Sequence, residues 1–307
     1  MLRPSRAAFT LVELLVVITI IAMLMALLIP AANMFIESGK RTSCLNNIHQ
    51  IAEASLIYET NKTHFPPERT DSGTIINSST PGNVTLTWAG VLVPYLGRGD
   101  IAGGVAYMPI YVCPSNPPDT ISDANPALSY SCNAGKKNGS PSQTIPSDWK
   151  DNGVFMDYRK GYAVDNVTKD FINRNDGLAT TFMLMESLYS GTWDNVNNEM
   201  FTGMVWPHSI SVGATPDNAR VNDPTVLRST SQPAQAIISS KHPGGANIAF
   251  CDSHTIFLSD QVDPIVIELA MTPNGRGVKN VSSTAIVGQN IKPASGATGF
   301  SETDLIK

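Results

Sequence analysis

The amino-acid sequence predicts an α+β fold: a long N-terminal helix, membrane-spanning and then amphipathic, packed on a mainly antiparallel β-sheet head with long loops. Three observations predict it. An apolar run from Phe9 to Ile29 opens the chain, 21 residues with Glu13 as their single charge. Beyond it Cys44, Ile48, Ile51, Ser55 and Tyr58 recur at steps of 4, 3, 4 and 3 residues, one face of a helix. Short apolar runs then alternate with turn-rich segments, in a chain carrying 23 Gly and 21 Pro among 307 residues. That mixture favours strands and ordered loops over a helical bundle.

The apolar run, as a helix rising about 1.5 Å per residue, reaches roughly 31 Å and crosses a hydrocarbon core. Arg3 and Arg6 precede it and no basic residue follows until Lys40, so the positive-inside bias holds the N-terminus in the cytoplasm and sends the rest outward. A cleaved secretory signal has a shorter apolar region of about 7–15 residues and a small-residue cleavage site after it. Pro30-Ala31-Ala32-Asn33 matches that poorly. A plain signal anchor leaves Glu13 unexplained. A carboxylate costs about 2.5–3.5 kcal/mol at the centre of a membrane helix and less near its end, and such a residue usually has a partner and a task. Pro30 removes one helical hydrogen bond and is expected to kink or interrupt the helix where it leaves the membrane.

The amphipathic helix ends at His64-Phe65-Pro66-Pro67. In the head, Trp88 to Leu96 is an apolar run stopped by Gly97, and Thr180 to Glu186 and Ala236 to Ser240 read as buried strands. Asn247 to Phe250 and Thr255 to Leu258 flank Cys251-Asp252-Ser253-His254, a hairpin turn. Val262 to Met271 reads as a short helix beginning near Asp263-Pro264, and the tail from about Lys292 is rich in Gly, Ser and Thr.

Net charge is −5 with no clustered Lys/Arg run, which argues against a nucleic-acid surface. Cys44, Cys113, Cys132 and Cys251 lack C-x-x-C spacing, so a zinc knuckle or a thioredoxin-like site is not expected. In an exported domain they permit two disulfides in three connectivities, against the alternative of buried free thiols. His242, Asp252 and His254 are residue types that bind metal or act as acid and base. Asp252-Ser253 and Gly244-Gly245 are equally ordinary turn chemistry. No nucleophile elbow, phosphate loop or H-E-x-x-H helix occurs, so no catalytic residues and no enzyme activity are expected.

AFTLVELLVVITIIAMLMALLIPA resembles the cleavage and methylation segment of type IV prepilins and type II secretion pseudopilins. C-x-N-N-I-H-Q-I, W-x-x-V-L-V-P-Y-L, V-C-P-S, N-D-G-x-x-T-T and H-P-G-G-A-N-I-A-F-C-D-S-H follow in order. They resemble the large prepilin-like family whose C-terminal signature is His, nine residues, then Asp-Gly; here it runs from His242 to Asp252, with Ser253 in place of the usual Gly. The resemblance implies a pilin-like fold with a leader over 1–8, a transmembrane helix over 9–29, a spine helix over 30–64, a periplasmic head over 65–291 and a flexible tail over 292–307. It implies cleavage by a prepilin peptidase between Ala8 and Phe9, where the family usually has Gly before the cut, and methylation of the new Phe9 amine.

The same resemblance gives Glu13 an assembly role, pairing with the Phe9 ammonium of a neighbouring subunit in an apolar filament core. It implies a single-pass inner-membrane protein, a structural or minor subunit of a type II secretion pseudopilus or pilus-like filament, whose partners are the peptidase, the membrane and other pilin-like subunits. The alternatives are a membrane-anchored periplasmic ligand-binding protein that never polymerises, and a tethered hydrolase using His242, Asp252 and His254. The family motifs set Cys44 with Cys113 and leave Cys132 with Cys251. Because the major pseudopilin carries calcium in a C-terminal loop, Asp176, Glu186, Asp252, Asp260 and Asp263 are candidate oxygen ligands, and no other cofactor is expected.

Overall fold

The computed structural model describes residues 11–74, 83–101, 106–119, 121–122, 125–136, 149–159, 165–194, 203–206, 221–222 and 237–275. Helix α1 (Leu11–Lys62) runs for 52 residues, about 78 Å at 1.5 Å per residue. Pro30 lies inside it and does not interrupt it, so the expected separate spans before and after Pro30 form one helix. The ring forfeits one backbone hydrogen bond, and the remaining ladder carries the helix through. Its first half is bare: the large apolar side chains described from Leu11 to Ile36 are all exposed. In the second half the stripe Cys44, Ile48, Ile51, Ser55 and Tyr58 is buried against the head. Full burial of each large apolar side chain there contributes about 1.5–3 kcal/mol.

The head is built on a five-stranded sheet of β3 (Tyr130–Lys136), β4 (Phe182–Glu186), β5 (Gly203–Trp206), β6 (Gly245–Phe250) and β7 (Thr255–Ser259), in the order β5-β3-β4-β6-β7. Three of its pairings are antiparallel, and β3 with β5 is parallel, so the sheet is mixed. A separate hairpin pairs β1 (Arg69–Thr74) with β2 (Asn83–Thr87). Short helices α2 (Trp88–Leu92) and α3 (Lys169–Arg174), a longer α4 (Pro264–Met271) and 3-10 turns over Val93–Leu96, Gly99–Ile101 and Pro109–Tyr111 complete the described elements.

Both faces of the sheet are covered, as the alternation along β6 records. Ala246, Ile248 and Phe250 share one apolar cluster with Ile267, Ala270 and Met271 of α4. Ala249 and the following Cys251 share the other with Cys44, Ile48 and Ile51 of α1. Successive side chains on a strand point to opposite faces. Asn247, between Ile248 and Ala246, therefore faces α1, where its Nδ2 lies 3.5 Å from the Arg41 carbonyl.

The apolar run from Trp88 is helical, and the strand expected over Ala236 to Ser240 is absent from the described residues 237–240. Trp88 to Leu96 forms α2 followed by a 3-10 turn over Val93–Leu96. Thr87 caps α2, its hydroxyl accepting from Gly90 N at 3.2 Å, and Gly97 closes the run in the left-handed region at φ 76°. Residues 237–240 are buried but extend no sheet strand. Ser239 Oγ takes the Leu188 N–H at 3.0 Å and Ser240 Oγ donates to the Gly245 carbonyl at 2.6 Å, and such local bonds compete with a ladder.

Candidate functional site

The tightest gathering of reactive side chains lies where the middle of α1 meets the start of β6. Cys44 of α1 is disulfide-bonded to Cys113, which follows a 3-10 turn over Pro109–Tyr111, with Cα atoms 5.1 Å apart. His242, in the turn before β6, directs Nε2 at Cys113 Sγ and at Glu186 Oε1, each 3.4 Å away. Its Nδ1 is 2.6 Å from Glu37 Oε1 on α1. All four of Cys44, Cys113, Glu186 and His242 are at most 3% exposed.

Each of these groups is held by its neighbours. Glu186, the last residue of β4, accepts from Asn247 N at 2.8 Å through Oε2 and from Asn247 Nδ2 at 3.0 Å through Oε1. Glu37 accepts from Ser115 Oγ at 3.1 Å. Asn47 Nδ2 donates to the Val112 carbonyl at 3.3 Å, fixing the Cys113 segment against α1. The backbone N–H of His242 donates to Ser240 Oγ at 3.1 Å, and Gly244 beyond it takes φ 86°, turning the chain into β6.

Electrostatics favour a charged histidine. Burial lowers the His242 pKa, but hydrogen bonds and charge from Glu186, then Glu37, outweigh it and leave the pKa above its ordinary 6.5. The Tyr130 hydroxyl, which donates to the Cys44 carbonyl at 3.4 Å, is pushed up by burial and then by the Glu186 charge.

The sequence-predicted residues scatter around this centre. His242 belongs to it, but Asp252 and His254 lie past the far end of the six-residue β6, roughly 20 Å away at about 3.4 Å per residue. There Asp252 Oδ1 is 2.5 Å from His254 Nδ1, and the His254 ring stacks on Phe250 with centroids 4.0 Å apart. The three residues named for a hydrolase are therefore not one constellation. Gly245 opens β6 against Leu258 of β7 so closely that a Cβ there would overlap the Leu258 carbonyl oxygen.

Cys132 and Cys251 are buried and form no disulfide, correcting the expectation that they pair. Cys132 lies on β3 and Cys251 just beyond β6, with β4 between those strands. Two strand spacings come to about 9–10 Å, beyond the roughly 7 Å that a disulfide spans. Burial, and then Asp252, push the Cys251 thiol well above its ordinary range, leaving it unreactive. Of the acidic residues named for calcium, Glu186 is taken up by His242 and Asn247, and Asp176 accepts from Gly275 N at 2.6 Å. Glu13 is exposed on the bare half of α1, whereas Ala8 and Phe9 lie outside the described residues.

Sequence reasoning missed Glu37 altogether and named Glu186 only as a calcium candidate. A signal for Glu37 existed: it precedes Cys44 by seven residues, two helical turns, and so shares the buried stripe's face. Nothing local marks Glu186, because its partners come from β6 and the turn before it, up to 61 residues along the chain.

Among the described residues, α1 is the one helix long and apolar enough to cross a membrane, and its most apolar stretch is wholly uncovered by the rest of the chain. Residues 3–29 match the model of the prokaryotic N-terminal methylation motif. One long N-terminal apolar helix on a mixed sheet, carrying that motif, makes this a pilin-like protein, consistent with the type IV pilin and pseudopilin superfamily in general and with a membrane anchor at its N-terminus. The head is more specific. Residues 37–105 and 101–265 match the family described as "Protein of unknown function (DUF1559)", and the chain belongs to that family. No curated protein and no solved structure matches it.

Proposed function

We propose that this protein is a structural or minor subunit of a type II secretion pseudopilus or type IV pilus-like filament. A prepilin peptidase cuts it between Ala8 and Phe9, the Phe9 amine is methylated, and α1 anchors it in the inner membrane with the head in the periplasm. Its role is assembly and display rather than catalysis. The observation that carries this reading is Glu13, a carboxylate on an otherwise apolar helix face that the head leaves bare from Leu11 to Ile36.

A lone membrane anchor gains nothing from a carboxylate in its first turn. In a bundle of such helices, the Phe9 ammonium of one subunit and Glu13 of the next neutralise each other, and the attraction strengthens in a low dielectric. That pairing supports both cohesion and axial register. Mass spectrometry of the mature N-terminus tests the processing on which the reading depends. A methylated Phe9 is expected, and a chain retaining Met1 overturns the reading in favour of a plain signal anchor.

A further inference from the structure

We propose that Cys44, Cys113, His242 and Glu186 form a redox-gated zinc site, closed as a disulfide when oxidised and able to hold one zinc ion when reduced. The side-chain ligand atoms of these four residues lie within 4.8 Å of one another, all buried. Two thiolates, an imidazole and a carboxylate are a donor set that suits zinc, while calcium and magnesium take oxygen ligands.

The distances already approach a zinc tetrahedron. With bonds of about 2.3 Å to sulfur and 2.0–2.1 Å to nitrogen and oxygen, its edges are roughly 3.6 Å for sulfur to nitrogen and 3.3 Å for nitrogen to oxygen. Here Cys113 Sγ to His242 Nε2 and His242 Nε2 to Glu186 Oε1 are each 3.4 Å. The sulfurs, once unbonded, separate to about 3.8 Å to complete the figure.

The outer contacts are those of a metal-bound histidine. His242 turns Nε2 toward the cluster and Nδ1 to Glu37 Oε1 at 2.6 Å, and a metal-ligating histidine usually donates its other N–H to a carboxylate. Glu186 is oriented in turn by both donors of Asn247. Two thiolates and one carboxylate around a zinc ion leave one net negative charge, which the Asn247 N–H groups help to spread.

Gating is a balanced exchange. A dithiol reductant gives two electrons and two protons to the Cys44–Cys113 bond and becomes a disulfide itself. Zinc then displaces the two thiol protons. Cys113 precedes the exposed Pro114, the side from which a reductant reaches the bond. The disulfide thus locks the head to α1 in one state and the metal locks it in the other.

The test uses the full chain in detergent, reduced with a dithiol, freed of it anaerobically and titrated with cobalt(II). One equivalent should produce a thiolate-to-cobalt charge-transfer band and tetrahedral visible bands, which one equivalent of zinc abolishes. The oxidised chain should show neither. His242→Ala should lose the tetrahedral spectrum, and Glu37→Gln should keep it with affinity about 10–100-fold weaker. A Cys132→Ser/Cys251→Ser double variant should behave as the parent, and circular dichroism of each oxidised variant establishes that it folds. The proposal is overturned by an equal signal from the oxidised chain, by no 1:1 signal after reduction, by its persistence in folded His242→Ala, or by its loss in the double-serine variant.

Discussion

His242 Nδ1 lies 2.6 Å from Glu37 Oε1, joining the turn before β6 to the middle of α1 across 205 residues of sequence. A second contact repeats the relation farther along: His49 Nδ1 is 2.8 Å from the Ser253 carbonyl in the β6–β7 turn. From Glu37 to His49 is about 18 Å of helix at 1.5 Å per residue. That advance matches the span of β6 and its flanking residues, so α1 lies alongside β6 and is fastened at both of its ends.

The first fastening should titrate. Glu37, Glu186 and the Cys44–Cys113 disulfide are the groups facing His242, and the two carboxylates raise its pKa above 6.5 in the folded chain. A raised folded pKa means that the folded state binds the proton more tightly than the unfolded one. Its contribution is therefore full below about pH 6.5 and is lost as pH rises through the folded value. Urea unfolding of the oxidised, metal-free chain should show stability falling across that window, and His242→Gln should flatten the slope.

Removing the disulfide should weaken the same junction. Cys44 and Cys113 are 69 residues apart, and a native cross-link over a loop of that length contributes about 2–4 kcal/mol. Cys113→Ser should lower stability by that amount under non-reducing conditions. Parent chain treated with a reductant in a metal chelator should fall by a similar amount.

Gly245 should tolerate no side chain. A Cβ built there meets the Leu258 carbonyl oxygen and, at 3.0 Å, the Phe257 ring. Gly245→Ala forces β6 and β7 apart, and overpacking of this kind costs typically about 1–3 kcal/mol. Thermal unfolding should show the loss, and amide exchange should quicken along β7.

Ser253 offers the opposite case. It sits at φ 75°, left-handed backbone that costs an L-residue roughly 1–2 kcal/mol. Ser253→Gly relieves that cost, less about 0.5–1 kcal/mol for the entropy that glycine loses on folding. A gain of up to about 1 kcal/mol in chemical denaturation is expected. The signature read in the sequence places glycine at this position, and the left-handed turn supplies a physical reason.

Glu13 should matter to assembly and not to insertion. Glu13→Ala removes a charge from an exposed position on the bare half of α1 and leaves the head untouched. Membrane fractionation should be unchanged, while recovery in sheared filaments should drop severalfold. Normal incorporation of the variant would sink the assembly role.

The sequence by itself determined what depends on near neighbours in the chain. The apolar run before Pro30, the stripe from Cys44 to Tyr58, the hairpin around Asp252 and the helix opening at Pro264 were all legible, because periodicity and turn chemistry are local. Local signals also misled at Ala236 to Ser240, read as a strand, where the described residues 237–240 join no sheet. Trp88 to Leu96 reads as an apolar run, and only the Thr87 cap and Pro94 turn it helical. The Cys44–Cys113 pairing that the family motifs implied is present, but tertiary structure alone decided that β4 keeps Cys132 from Cys251, and that His242 turns away from Asp252 toward Glu37 and Glu186. Those choices rest on docking a helix against strands far along the chain. Buried polar groups must find partners wherever packing brings them, and sequence spacing does not encode that.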